Sequence, residues 1–221
     1  MVQVIYLLLA VIMGGGLVLF GIGGNTNGGL FDAFSSDSNK STPTTSYSKE
    51  IKTLEKRVAI NPKNAPAWAR LASLRLAEGG SRGGFDGDKD GIAEFRQASA
   101  AWTKYVALEP KPTNLNVARQ MVNLYGPTGL NQPDKAVGVL DIIVDETQPP
   151  EADLYKQYAV YAYTAGQTRK GDLAAEKAVS LSPKADRKTV KDALQAQKTS
   201  ITQQAAQAAT SAAGAQTATP G

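Results

Sequence analysis

The sequence predicts an all-α protein: an N-terminal transmembrane helix, a flexible linker, and a superhelix of about three helical pairs with an extra leading helix and a C-terminal capping helix. Three observations carry that reading. From residue 46 onward the apolar side chains recur at helical spacing, and no segment alternates as a strand does. Proline and glycine close each apolar run at intervals that suit paired helices. Before either pattern begins, the chain carries no charged side chain until Asp32.

Residues 4–23 are apolar or small throughout, about 20 residues and therefore about 30 Å as a helix, the thickness of a bilayer's hydrocarbon core. The expectation is a retained single-pass anchor over residues 1–24, with the lipid bilayer as partner of residues 4–23. A cleaved secretory signal needs a basic n-region and a small-x-small cleavage step. Here no Lys or Arg precedes Lys40, and residues 21–30 offer no such step. With no Cys, lipoprotein attachment is excluded. The flanks of the span hold almost no cations to orient it, so the expectation of an extracytoplasmic domain at the cell membrane rests on the rule that long C-terminal domains are translocated largely regardless of charge, with a cytoplasmic placement as the alternative.

Residues 25–45 are rich in Gly, Ser, Thr and Asn, too poor in apolar surface to pack, and read as a solvated tether in which Phe31 and Phe34 can rest among the headgroups. Residues 201–221 are Ala-, Gln- and Thr-rich and read as a disordered tail whose first part can continue a helix. Residues 46–200 remain, enough for one domain with a real core.

Within that domain Tyr47, Ile51, Leu54 and Val58 form a single apolar stripe that ends at Asn61-Pro62. A second helix over 65–78 places Trp68, Leu71, Ala72 and Leu74 on one side and stops at Gly79-Gly80. Further helices are expected over 92–108 (Phe95, Ala98, Trp102, Tyr105, Val106), 115–125, 133–146 with proline in its first turn, 151–165 and 170–181, and from about residue 185.

Helices end at Pro62, Pro110, Pro149 and Pro183, spaced 48, 39 and 34. The last interval is the period of a repeat in which antiparallel helix pairs stack into a continuous core. Trp68, Leu71, Ala72 and Gly79, then Ala98, Trp102 and Pro110, stand where the tetratricopeptide repeat keeps its own residues, although Tyr105 replaces a favoured Ala and extra residues separate the two helices. Ala118, Met121, Val122, Tyr125 and Gly129, then Ala136, Leu140 and Ile143, fit a middle unit with small slips. Tyr155, Tyr158, Ala159 and Gly166, then Ala178 and Pro183, fit a third in which Gly171 and Ala175 weaken the second helix. Residues 47 to about 200 thus resemble a tetratricopeptide-repeat (TPR) domain, with a generic helical bundle as the alternative. Anchor and domain together resemble membrane-anchored TPR proteins of actinobacterial type, a likeness that brings no known activity with it.

The resemblance implies a concave groove, lined by the first helix of each pair, that holds a peptide or helix of a protein partner. In this register the groove positions are Ala69, Ser73 and Leu76 in the first unit, Arg119 and Asn123 in the second, and Lys156, Val160 and Tyr163 in the third. Arg119 and Lys156 are expected to grip a carboxylate through charge-assisted hydrogen bonds, with solvated helix charges as the plainer alternative. Truncating either is expected to weaken capture without lowering the melting temperature.

The insertion around residues 85–92 reads Phe-Asp-Gly-Asp-Lys-Asp-Gly-Ile. Asp86, Asp88 and Asp90 stand at first, third and fifth places before a Gly, as in a calcium loop, with Glu94 as a partial substitute for the missing bidentate Glu. A low-affinity Ca2+ site is one reading, and a solvated Asp/Gly loop is the other. No further cofactor is expected.

The chain has no His and no Cys, which removes the commonest general base, the thiolate nucleophile and the usual zinc, copper and iron ligand sets. The net charge of +4 is small, and five cations against two carboxylates between Lys184 and Lys198 account for much of it. A solvated helix face explains these better than nucleic-acid binding, so no nucleic-acid partner is expected. The function read from the sequence is a membrane-tethered interaction scaffold and not an enzyme. The alternatives are a structural envelope protein that oligomerises through its anchor, where Ala10 and Gly14 make a small-xxx-small pair, and a calcium-responsive adaptor using residues 86–90.

Overall fold

The computed structural model describes residues 43–216, with side chains from 47 to 210. The expected anchor and most of the expected linker lie outside the described residues. Among the described residues there are eight α-helices and no strand, and no helix is long and apolar enough to cross a membrane.

The helices are α1 (Pro43–Ile60), α2 (Ala65–Ser81), α3 (Lys89–Val106), α4 (Leu115–Tyr125), α5 (Pro133–Glu146), α6 (Ala152–Thr164), α7 (Thr168–Leu181) and α8 (Arg187–Gln216). Local chemistry fixes most of their ends. Asn64, Asp88 and Asn114 cap α2, α3 and α4 by accepting hydrogen bonds from backbone N–H groups in the first turn. Pro66 and Pro133 sit in the first turns of α2 and α5, where a missing N–H costs little. Gly166 closes α6 at φ 71°, a left-handed conformation that only glycine adopts without strain.

Packing follows the order of the chain. Hairpins α2–α3 and α6–α7 are the most closely packed pairs; α1 lies on α2 as extensively as α4 on α5, α4 touches both α2 and α3, α6 lies on α5, and α8 packs on both α6 and α7. Each helix therefore meets only near neighbours in sequence, as in a helical repeat. The core runs through the stack: Ile51, Leu54 and Val58 of α1, Leu71 and Leu74 of α2, Phe95, Ala98 and Trp102 of α3, Met121, Val122 and Tyr125 of α4, Leu140 and Ile143 of α5, and Tyr158 and Ala159 of α6 are all buried.

Three features differ from the sequence reading. First, α2 does not stop at Gly79-Gly80 but continues to Ser81, and α3 begins at Lys89 rather than 92, so only residues 82–88 separate them. The glycines serve packing: a Cβ on Gly79 would stand 2.5 Å from the Phe95 ring, one on Gly84 2.7 Å from it, and one on Gly91 2.4 Å from the Gly84 backbone N. The insertion is folded back into the core around Phe95. Second, Gly171 sits inside α7 where a Cβ would meet the Tyr163 ring at 2.4 Å, so the residue that weakens the helix in isolation admits the aromatic ring of its neighbour. Third, the Ala/Gln run beyond 201 is helical to Gln216, consistent with the high helix propensity of Ala and Gln.

Polar side chains pin the junctions. Tyr105, which departs from the repeat pattern, is buried and its hydroxyl accepts the Asn114 N–H at 2.6 Å, fixing the start of α4 against the end of α3. Ser99 and Tyr125 share a buried hydrogen bond of 2.9 Å between α3 and α4. Asp141 of α5 accepts from the Tyr158 hydroxyl and from Lys170 Nζ, linking α5, α6 and α7.

Candidate functional site

The first of the three expected groove segments is closed by packing. Ala69 and Leu76 of α2 are buried, and the half-buried Ser73 donates to Gln120 Oε1 of α4 at 2.9 Å, so that hydroxyl is spent in holding α2 to α4. Arg119 and Asn123 are exposed on α4. No Cα atom of α4 lies within 8 Å of one in α6, and the two helices approach through the Tyr161 side chain, whose hydroxyl reaches Gly126 at the end of α4. Lys156 is bonded to Asp153 at 2.8 Å, one turn back on α6.

Tyr163 is not a groove residue. It is 5% exposed, its ring lies over Gly171, and its hydroxyl donates to Asp172 at 3.0 Å. Lys198 of α8 donates to the same carboxylate at 2.7 Å and sits 5.6 Å from the Tyr163 ring centroid. Burial, followed by the bond to Asp172, pushes the Tyr163 phenol above its ordinary range, while the hydrogen bond from Lys198 holds the Asp172 carboxyl below the ordinary carboxylate range. These three residues clamp α6, α7 and α8 together.

That clamp has a pH signature. The Asp172 pKa is lower in the folded state than in the unfolded chain, so its contribution is present above the unfolded carboxyl pKa of about 3.9 and is lost as pH falls through the folded value. Asp172 is partly exposed, so the contribution is about 0.5–1 kcal/mol. Asp172→Asn is expected to be less stable than the parent by that amount at neutral pH, with the two denaturation midpoints converging below about pH 4. Denaturant melts across the pH range check this.

The open feature lies where α8 meets α6. Lys156, Gln157, Val160 and Tyr161 of α6 face Thr189, Val190, Ala193, Leu194 and Gln197 of α8 across a trough of about 440 Å3. Val160, Val190 and Leu194 make an apolar floor, and the Gln157 and Gln197 amides and Lys156 stand at the rim. The Tyr161 hydroxyl reaches to 2.9 Å from the position a Cβ on Gly126 would take, so a glycine at 126 leaves it room. Burial raises its phenol pKa, so it remains a neutral hydroxyl at physiological pH. Of the expected groove residues, Lys156 and Val160 therefore belong to one site. The sequence reading takes α8 only as a cap and so omits this half; the spacing of Val190, Ala193, Leu194 and Gln197 on one helical face is the signal that marks it.

The acidic loop supplies the start of α3. Asp88 accepts from the N–H groups of Asp90 and Gly91 as the cap of α3, and Asp90 lies in the first turn, where the helix dipole favours it. Glu94 is bonded to Arg75 at 2.6 Å, and Asp86 is in the short 3-10 turn Gly84–Asp86. Among the described residues no group of three or more carboxylates is placed to hold a metal ion. The spacing read as a calcium loop also contains the cap of a helix start.

A second cavity of about 400 Å3 lies between α1, α2 and α3, bordered by Val58, Trp68, Leu71, Ala101, Glu55 and Arg75. Arg75 bonds both Glu55 and Glu94 there, and Trp68 Nε1 donates to the Pro62 carbonyl at 2.9 Å, so these polar groups of its lining are paired. The chain matches no protein-family profile, and no curated protein matches its sequence.

Proposed function

We propose that this protein is a membrane-tethered scaffold of the tetratricopeptide-repeat type that captures a peptide or helix of a partner protein, without catalysing a reaction. The tether is the apolar segment 4–23, and the domain stands on the extracytoplasmic side of the cell membrane. The observation that carries the reading is the α6–α8 trough: an apolar floor with amides and one lysine at its rim, on a stack of helices that meet only near neighbours. Such a surface supplies apolar burial for two or three side chains of an extended or helical segment and hydrogen bonds to its backbone, which is the chemistry of peptide recognition.

The half-buried Val160 is the central floor residue on α6. Val160→Asp places a charge where the partner's apolar side chains are to be buried, and it is expected to lower partner affinity by about tenfold or more. Because Val160 is not in the fully buried core, the melting temperature is expected to stay within a few degrees of the parent. Equal capture by parent and variant would contradict the assignment.

A further inference from the structure

We propose that the outer face of α1 docks on an anionic lipid surface. On this helix Ile51, Leu54 and Val58 face the core, and the opposite side carries Lys49, Lys52, Lys56, Arg57 and Ile60, all exposed and all within one helical stripe. The two carboxylates of α1 are both drawn away towards α2, Glu50 to Arg70 at 2.8 Å and Glu55 to Arg75. The four cations of the stripe form no ion pair among the described residues. Lys63, in the turn that follows, extends the same charge.

Ile60 is the most exposed large apolar side chain of the described residues, at 86%. It projects beside a shallow depression of about 500 Å3 bordered by Thr53, Lys56, Arg57, Asn61 and Asn64, a lining of hydroxyl, amide and cationic groups with no carboxylate. Cations and amides around one protruding aliphatic side chain suit an interface in which phosphate oxygens meet the polar groups and the apolar tip enters the acyl boundary.

Position in the chain favours lipid over other polyanions. This inference rests on the anchoring reading above: the apolar segment ends at residue 23 and α1 begins at Pro43, so only residues 24–42 separate the cationic stripe from the span. The cationic stripe is thereby kept at high local concentration near a headgroup layer. The bond between membrane and domain then has two parts, a span and a salt-sensitive contact that sets how the domain lies on the surface.

The chain has no native Cys, so Ile60→Cys gives a single attachment point for an environment-sensitive fluorophore on the full chain. The labelled protein is mixed with phosphatidylcholine vesicles and with vesicles that also contain phosphatidylglycerol. The expected result is a blue shift and several-fold brightening in the anionic vesicles alone, reversed by high salt, with the anionic-lipid preference falling about fivefold for each cation removed in the series Lys49→Gln, Lys52→Gln, Lys56→Gln and Arg57→Gln. Identical emission in both lipids overturns the proposal, as does a salt-insensitive shift. The salt arm uses unaltered cations and so decides the matter even if a Gln variant unfolds. A duplex oligonucleotide that shifts the emission where anionic vesicles do not would also overturn it, by reassigning the face to nucleic acid. Failure of the chain to sediment with neutral vesicles counts against the anchor alone, because the fluorophore still reports lipid contact at position 60 in the anionic arm.

Discussion

Phe95→Ala is expected to cost about 3–5 kcal/mol of unfolding free energy. The ring is fully buried, and its surroundings cannot collapse to fill the space it leaves. On two sides it is met by backbone, at Gly79 and Gly84, positions with no side chain to move inward. On a third it packs against the Phe85 ring at a centroid distance of 4.6 Å. Losing the ring leaves a cavity bordered by main chain and also frees the 82–88 segment, which is held to the helices by that ring. Phe85→Ala serves as the control: Phe85 is 41% exposed, and its truncation is expected to cost about 1 kcal/mol. Chemical denaturation of the full chain in detergent, followed by far-ultraviolet dichroism, measures both. A Phe95→Ala loss below about 1 kcal/mol would mean that the corner is not packed as described.

Gly171→Val is expected to cost about 3 kcal/mol or more, through a clash that the structure gives no means of relieving. A Cβ at 171 would stand 2.4 Å from Tyr163 Cε1. The tyrosine cannot swing aside, because its ring is buried and its hydroxyl is tied to Asp172, which Lys198 holds in turn. Relief requires α6 and α7 to separate, and α8 rests on both. Gly171→Ala is expected to be milder, since the clash is partly offset by up to about 1 kcal/mol of helix propensity. The ordering Gly, then Ala, then Val in thermal midpoint is the measurement; an Ala or Val variant more stable than the parent would contradict it. Because α8 forms half of the trough, a Gly171→Val chain that retains its fold is also expected to lose partner capture.

The helical architecture was legible wherever local signals and packing agreed. Residues 115–125 and 133–146 were bounded correctly because Asn114 and Pro133 mark helix starts by their own chemistry. The core stripes were legible for the same reason: a 3.6-residue period of large apolar side chains has few other uses. The all-helical class followed from both.

Where the reading departs from the structure, one residue type served two purposes. Glycine ends helices, and it also lets backbones and rings approach closely. Gly79 and Gly171 do the second, which only the placement of Phe95 and Tyr163 reveals. Aspartate ligates calcium, and it also caps helices, and Asp88 is a cap. Tyr163 was placed in the groove by its register on α6, but register cannot show that a glycine on the facing helix opens a slot for its ring. Lys156 and Val160 line the trough because α8 comes to rest beside them, a long-range contact that no local pattern encodes.

The central claim is that the α6–α8 trough receives a protein partner at the membrane. Its most direct measurement is photo-crosslinking in intact cells, with a benzophenone amino acid at Gln157 on the rim of the trough and, for comparison, at Leu173, which is 60% exposed on α7 and takes no part in the lining. The account expects a discrete protein adduct from position 157 that disappears when Val160→Asp is combined with it, and no such adduct from position 173. Adducts that form equally from both positions, that persist with Val160→Asp, or that fail to form from 157 at all would contradict it.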